Sequence, residues 1–229
     1  MTIGMMVAAL LTAQAANEEV AAAAKKSAEI TSYSFKVSTP APAKGKGAGG
    51  TVEGKYEKDQ PVAFKAGALE AFRKGGLVVY KEGEEWKRVE KKKGQKGADP
   101  TLAIQGVKLP HEELDGCDKY FESVAKAEAK ENDCTVFSGP LTVTAAASLA
   151  STGGKGTNKA AALKYSGTGK LWVNADGRIV KYEFQIKGTG ERNGKAIDQS
   201  ITRTVELTDV GSAKVEVPEG AKKALEAQS

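Results

Sequence analysis

Histidine occurs once in the 229 residues, cysteine twice and proline seven times, and aromatic residues make up only 6% of the chain. A lone histidine, His111, leaves little room for nucleophilic catalysis, which needs a base within reach of the attacking group. It follows Pro110 and precedes Glu112 and Glu113, where it reads as a helix-start or surface residue, and there is no G-x-S-x-G elbow. Glu112 and Glu113 are adjacent on a helix and point apart, so they read as first-turn acids and not as a catalytic dyad. A non-enzymatic protein is therefore expected, with no catalytic residues. Two cysteines and one histidine fall short of the four soft ligands of a structural zinc, so neither a metal nor a cofactor is expected. No apolar run reaches the ~20 residues that span a bilayer. The glycine-rich stretch at 45–55 lacks the GK[ST] ending of a phosphate-binding loop and leads into a strand pattern instead of a helix. The net charge of +5 is too small an excess to indicate nucleic-acid binding. The basic run at 87–97 has no aromatic residues interleaved and reads as a solvated loop, with weak attraction to an anionic surface as the other reading.

What is present begins at the N-terminus. Ile3, Met5, Met6, Val7, Leu10 and Leu11 make an apolar stretch, followed by Ala13-Gln14-Ala15 and then an abrupt polar turn at Asn17-Glu18-Glu19. Small residues at the first and third of those positions have the form of a cleavage site. Residues 1–15 are expected to be a secretory signal and the protein to be periplasmic or secreted; a buried N-terminal helix is the alternative. No Lys or Arg precedes the stretch, which is consistent with a start further upstream. No cysteine follows it, so a lipid anchor of the lipoprotein type is not expected. Cys117 and Cys134 fit export if they pair. A loop of that size would contribute ~3 kcal/mol in the chain-entropy model. Two separate buried thiols are the other reading.

Residues 17–30 read as a helix with Asn17 as its cap. Tyr33, Phe35 and Val37 then alternate with polar residues as a first strand. Residues 51–90 read as a meander of short strands broken by turn signals at 58–60, 74–76 and 82–84, with Trp86 closing one edge of the core. Asp99 or Thr101 is expected to cap a short helix through Leu102 and Ile104. Residues 110–130 read as a longer helix, because Leu114, Cys117, Phe121 and Val124 recur at helical spacing. A strand follows at 134–137 and an alanine-rich helix from Thr142. Flexible loops are expected near 39–50 and 151–161. The last third gives four strands, at 162–174, 178–188, 197–209 and 213–217, before Pro218 opens a terminal helix. Helix, strands, helices, strands is an α+β order with an antiparallel sheet, and a single half-barrel domain is expected over 16–229.

The hairpin at 170–188 is the most informative stretch. Val180, Tyr182, Phe184 and Ile186 share one side of its second strand, while Lys181, Glu183, Gln185 and Lys187 share the other. On the next strand Ile201, Val205 and Leu207 share a face, but Arg203 lies on it too. The layout of signal, helix, SYSFKV strand, meander, helical interruption and long closing strands resembles the lipoprotein-carrier and sensor fold typified by LolA-like proteins. The segments PHEELDGCDKYFESV and CTVFSGPLTVTAAASLA resemble uncharacterised secreted members of it. The resemblance implies a strongly curved antiparallel sheet, a half-open barrel with helices on its concave face, and binding of a lipid, acyl chain or lipoprotein there. Phe35, Val37, Val180, Tyr182, Phe184 and Ile186 are the candidate lining residues. The alternative is an envelope interaction or sensor module with a filled core, whose partner is an envelope protein.

Overall fold

The computed structural model describes residues 3–40, 50–89, 101, 104, 107–127, 129–151, 163–192 and 195–227. Helix α1 (Ile3–Ala28) leads into β1 (Ser32–Thr39), and a meander follows: β2 (Gly50–Glu57), β3 (Val62–Ala66), β4 (Leu69–Lys74), β5 (Leu77–Glu82) and β6 (Glu85–Arg88). The interrupting segment contains α2 (Pro110–Leu114), a 3-10 turn (Cys117–Tyr120) and the short β7 (Ala125–Lys126). Then come β8 (Thr135–Pro140), α3 (Val143–Ser151), β9 (Lys164–Val173), β10 (Ile179–Arg192), β11 (Lys195–Thr208) and α4 (Glu219–Glu226). The strands form one curved antiparallel sheet of eleven, not closed into a barrel, in the order β6-β5-β4-β3-β2-β1-β11-β10-β9-β8-β7. The α+β class and open curved sheet expected from the sequence are thus present. Of the expected loops, residues 41–49 and 152–161 lie outside the described residues, as does most of the basic run at 87–97, while Thr39 ends β1, Gly50 opens β2 and Ser151 ends α3.

The chain falls into two compact units. One comprises α1 and residues 108–206, and the other residues 30–38, 50–107 and the chain from Leu207 onward. In the second unit, Tyr33, Phe35 and Phe64 pack edge to face on one side of the meander. The other side carries Phe72 and Val79, which pack with Ala221 and Leu225 of α4 and with Trp86. Arg88 fastens the helix by donating to the carbonyls of Ala224, Leu225 and Ala227, a cation satisfying the bare C-terminal acceptors. Residues 213–217 alternate like a strand, yet form none. The N–H of Val215 goes to the Glu57 carboxylate at 2.9 Å and not to a ladder partner.

In the first unit α1 buries Ala16, Val20, Ala23, Ala24 and Ser27, the spacing of a single helical stripe. Its last turn is pinned to the β9–β10 hairpin. Lys26 Nζ donates to the carbonyl of Asp176 at 3.1 Å. Ser27 Oγ donates to the Ala23 carbonyl at 2.7 Å and accepts the Ile179 N–H at 2.8 Å. At its middle, Glu19 pairs with Lys126 at 2.7 Å. Ser27→Ala removes the acceptor of a buried N–H and is expected to cost about 1–3 kcal/mol, read as a lowered urea midpoint; Ser27→Thr should recover part of it.

The expected helix over 110–130 is broken. Gly116 takes φ 68°, a left-handed geometry that ends a helix at little cost for glycine. The chain tightens into the 3-10 turn and then runs extended. Leu114, Cys117, Phe121 and Val124 are nevertheless all buried, so the spacing marks the inward side correctly while misnaming the backbone.

Candidate functional site

The face of β10 singled out by its alternation lies within the first unit. Tyr182, Phe184 and Ile186 are all buried, Tyr182 completely. Tyr182 and Phe184 touch at 5.4 Å between ring centroids, and Tyr120 of the 3-10 turn sits edge-on to Phe184 at 6.1 Å. These side chains therefore touch the protein's own covering segment, residues 109–124. Phe35 and Val37 are buried as well, in the second unit. Phe35 lies against Gly54, where an added Cβ would sit 2.3 Å from its Cζ.

Val180 departs from the expected pattern. The β9–β10 register shifts between Ile179 and Lys181, a bulge that puts one extra residue into β10. Ile179, fully buried, takes the N–H bond to Ser27, and Val180 packs instead with Cys134, Val136 and Trp172. Trp172 pairs with Lys181, whereas Leu171 pairs with Tyr182, so Val180 belongs to the opposite side of the sheet. Alternation alone does not reveal a bulge. On that opposite side Lys170 and Lys181 lie over the indole at 4.6 and 5.1 Å. Glu131 accepts from Lys170 and from Trp172 Nε1, and both bonds hold its carboxyl below the usual range, the lysine having the larger effect.

Cys117 and Cys134 are free thiols, so the expected disulfide gives way to the other reading, two separate buried thiols. Burial pushes the Cys117 thiol up to about 12, with Asp118 adding to it. Because the thiolate is the reactive form, Cys117 is expected to resist iodoacetamide at pH 8 in the native protein and to label within minutes in urea, with mass spectrometry reporting the site.

The chemically distinctive group on the buried face is Glu113. Pro110 opens α2, and Glu112 Oε2 accepts the Leu109 N–H at 3.0 Å, capping the helix start. Its neighbour points the other way: Glu113 is 0% exposed. Tyr182 Oη donates to Glu113 Oε2 at 2.5 Å, and Arg203 Nη1 donates to Oε1 at 2.5 Å. Arg203 is 15% exposed at its side chain and stands opposite Phe184 in the β10–β11 register. Tyr120 Oη also donates to the Glu113 carbonyl at 3.1 Å. The segment is thus tied to both strands through one carboxylate. The arginine among Ile201, Val205 and Leu207 was the signal in the sequence that an acid had to lie opposite. His111, on the first turn of the same helix, is half-buried, and burial lowers its imidazole despite Glu112.

Beside this ion pair the floor lacks side chains. Phe184, Gly169 and Gly139 form one rung across β10, β9 and β8. A Cβ on Gly169 would lie 2.6 Å from Phe121 Cε1, and one on Gly139 only 1.9 Å from the Ser123 carbonyl oxygen. The glycines admit the covering segment. The same strands also carry an open depression of about 430 Å³ bordered by Ser166, Thr168, Gln185, Lys187, Ser200 and Thr202 together with Gly167, Ile186 and Ile201.

The fold, an open antiparallel sheet with short helical pieces packed on β8–β10 of the first unit, is similar to that of solved structures. Two solved structures share it. LprF from Mycobacterium bovis is 13% identical, with 92% of this chain and 99% of that one covered at a TM-score of 0.50. The lipoprotein LppX from Mycobacterium tuberculosis is 10% identical, with coverages of 88% and 98% and the same TM-score of 0.50. The LolA superfamily protein NE2245 from Nitrosomonas europaea aligns over 90% of this chain and 95% of its own at 8% identity and a TM-score of 0.30. At these identities the likeness is one of fold. No family model matches the sequence, and no curated protein matches it. Among the described residues no helix is long and apolar enough to cross a membrane.

Proposed function

We propose that this chain is a non-enzymatic, exported protein that binds an acyl chain, lipid or lipoprotein on the helix-covered face of its sheet, with residues 1–15 as its export signal. The observation that carries the reading is how the cover is held. A permanent core is sealed most cheaply by apolar packing, because burying two charges costs several kcal/mol per ion before their attraction is counted. Here the covering segment, residues 109–124, is a five-residue helix, a 3-10 turn and extended chain, tied down by a buried carboxylate. Short elements with few internal hydrogen bonds open at lower free energy than the strands beneath them. A ligand gaining ~0.8 kcal/mol for each methylene buried offsets the loss of Tyr120 and Phe121 from the same surface. The fold shared with LprF and LppX supports this reading.

Protein purified from its native envelope should carry extractable lipid in near-stoichiometric amount, and delipidated protein should bind a fluorescent fatty acid. Lipid-free protein that binds no such probe would sink the proposal. One observation favours a second reading, an interaction or sensor module with a filled core: Tyr182 and Phe184 are sealed by the chain's own residues. That reading predicts loss of partner capture on reversing the charges between residues 87 and 96, with no lipid in any preparation.

A further inference from the structure

Resting on the carrier reading, we infer that Glu113 is an internal substitute for the ligand's headgroup, and that the ligand is an anionic amphiphile whose carboxylate or phosphate replaces Glu113 on Arg203 and Tyr182. The site is built for an anion. A guanidinium and a phenol project from neighbouring strands, Arg203 opposite Phe184 and Tyr182 opposite Val205, and they donate to the two oxygens of one carboxylate. Such charge-assisted bonds are the strong ones, and the arginine fork matches carboxylate and phosphate alike. An arginine on this face does nothing that a leucine would not do for packing, since apolar replacement of buried ion pairs is often neutral or stabilising.

The rest of the segment supplies the apolar half of the imitation. Tyr120 packs on Phe184, and Phe121 lies over Gly169. From the Phe184 rung the floor runs over Gly169 to Gly139 without side chains, about 10 Å across three strands at the usual spacing. Gly167, opposite Ile186, continues it on the next rung, where the Leu141 side chain lies beside both Gly167 and Gly169. When the segment lifts, it leaves a cationic end and an apolar trough that Leu141 still borders, the shape of an anionic head and its chain. The segment and the ligand then exclude each other, so binding reports on the cover directly.

The test uses the full chain, delipidated, and four probes of equal length: dodecanoate, dodecyl phosphate, dodecanol and dodecyltrimethylammonium, with acetate and inorganic phosphate as headgroups alone. Displacement of a fluorescent fatty acid gives affinities, and amide exchange over 109–124 follows the cover. The two anionic chains should bind at least about tenfold tighter than dodecanol, the size of one charge-assisted bond. They should also speed exchange in 109–124. Glu113→Gln should tighten dodecanoate, and Arg203→Gln should abolish the preference over dodecanol. Equal binding of dodecanoate and dodecanol overturns the headgroup assignment while leaving the carrier reading intact. Tight binding of inorganic phosphate alone overturns the amphiphile in favour of a simple anion site. Failure of all four chains defeats the carrier reading itself. The probe series needs no variant, so a variant that fails to fold leaves the outcome decidable.

Discussion

Replacing Arg203 by methionine is expected to lower the unfolding free energy by about 3–5 kcal/mol. The cause is the group left behind. Glu113 is wholly buried, and without the guanidinium its charge retains the Tyr182 hydroxyl as its side-chain partner. Removing both charges, as in Glu113→Gln with Arg203→Met, should restore most of the loss, because a neutral amide still accepts from Tyr182 and the methionine packs on Phe184. Urea titration reads both, with a shifted midpoint and an unchanged slope expected if only native stability changes. A single variant within about 1 kcal/mol of the parent would mean that the pair behaves like an exposed one, and the clamp would lose its meaning.

The second large effect is expected at Gly139. Its Cβ would fall 1.9 Å from the carbonyl oxygen of Ser123, a backbone atom that cannot rotate away. Gly139→Val should therefore push the chain at 121–124 off the sheet and cost about 3 kcal/mol or more, at or beyond the upper end of ordinary overpacking. The loss is local. Amides at 118–124 should exchange faster and the Phe121–Leu141 bridge should open, while exchange in the meander stays as it was. A protein with unaltered protection at 118–124 would show that the segment does not rest on these glycines. On the carrier reading, the same variant should bind fatty acid more readily, since the cover is already weakened.

Much of this was legible in the residues. The meander read correctly because its turns announce themselves: Gly75 and Gly83, within the signals at 74–76 and 82–84, adopt positive φ, which few residues tolerate. The buried side of β10 followed from plain alternation at Tyr182, Phe184 and Ile186. Illegibility began where two rules compete. At Asp115-Gly116 the apolar spacing argued for a continuing helix and the glycine argued for a stop, and the glycine won. At Val180 an inserted residue reversed the side chains without changing the pattern of letters. Residues 213–217 looked like a strand because Val215 and Val217 alternate, but the Glu57 carboxylate takes the N–H that a ladder would need. The buried acid was hardest to read. Glu113 is indistinguishable from its neighbour Glu112 as a first-turn carboxylate, and only Arg203, far along the chain, requires it to be inside.

The fastening of α4 has a consequence for how the protein comes to be folded. The meander β2–β6 is made of neighbouring hairpins and needs only local contacts, so it forms early. One of its sides, with Phe72, Val79 and Trp86, is closed by Ala221 and Leu225 of α4. Until α4 docks, that unit is a sheet with a bare apolar back. A chain emerging N-terminus first must keep that surface from its neighbours for the whole interval, which is where partly made sheet proteins aggregate. Docking of α4 is thus a completion step for this unit, and loss of that helix would be felt first as poor yield and only later as altered binding.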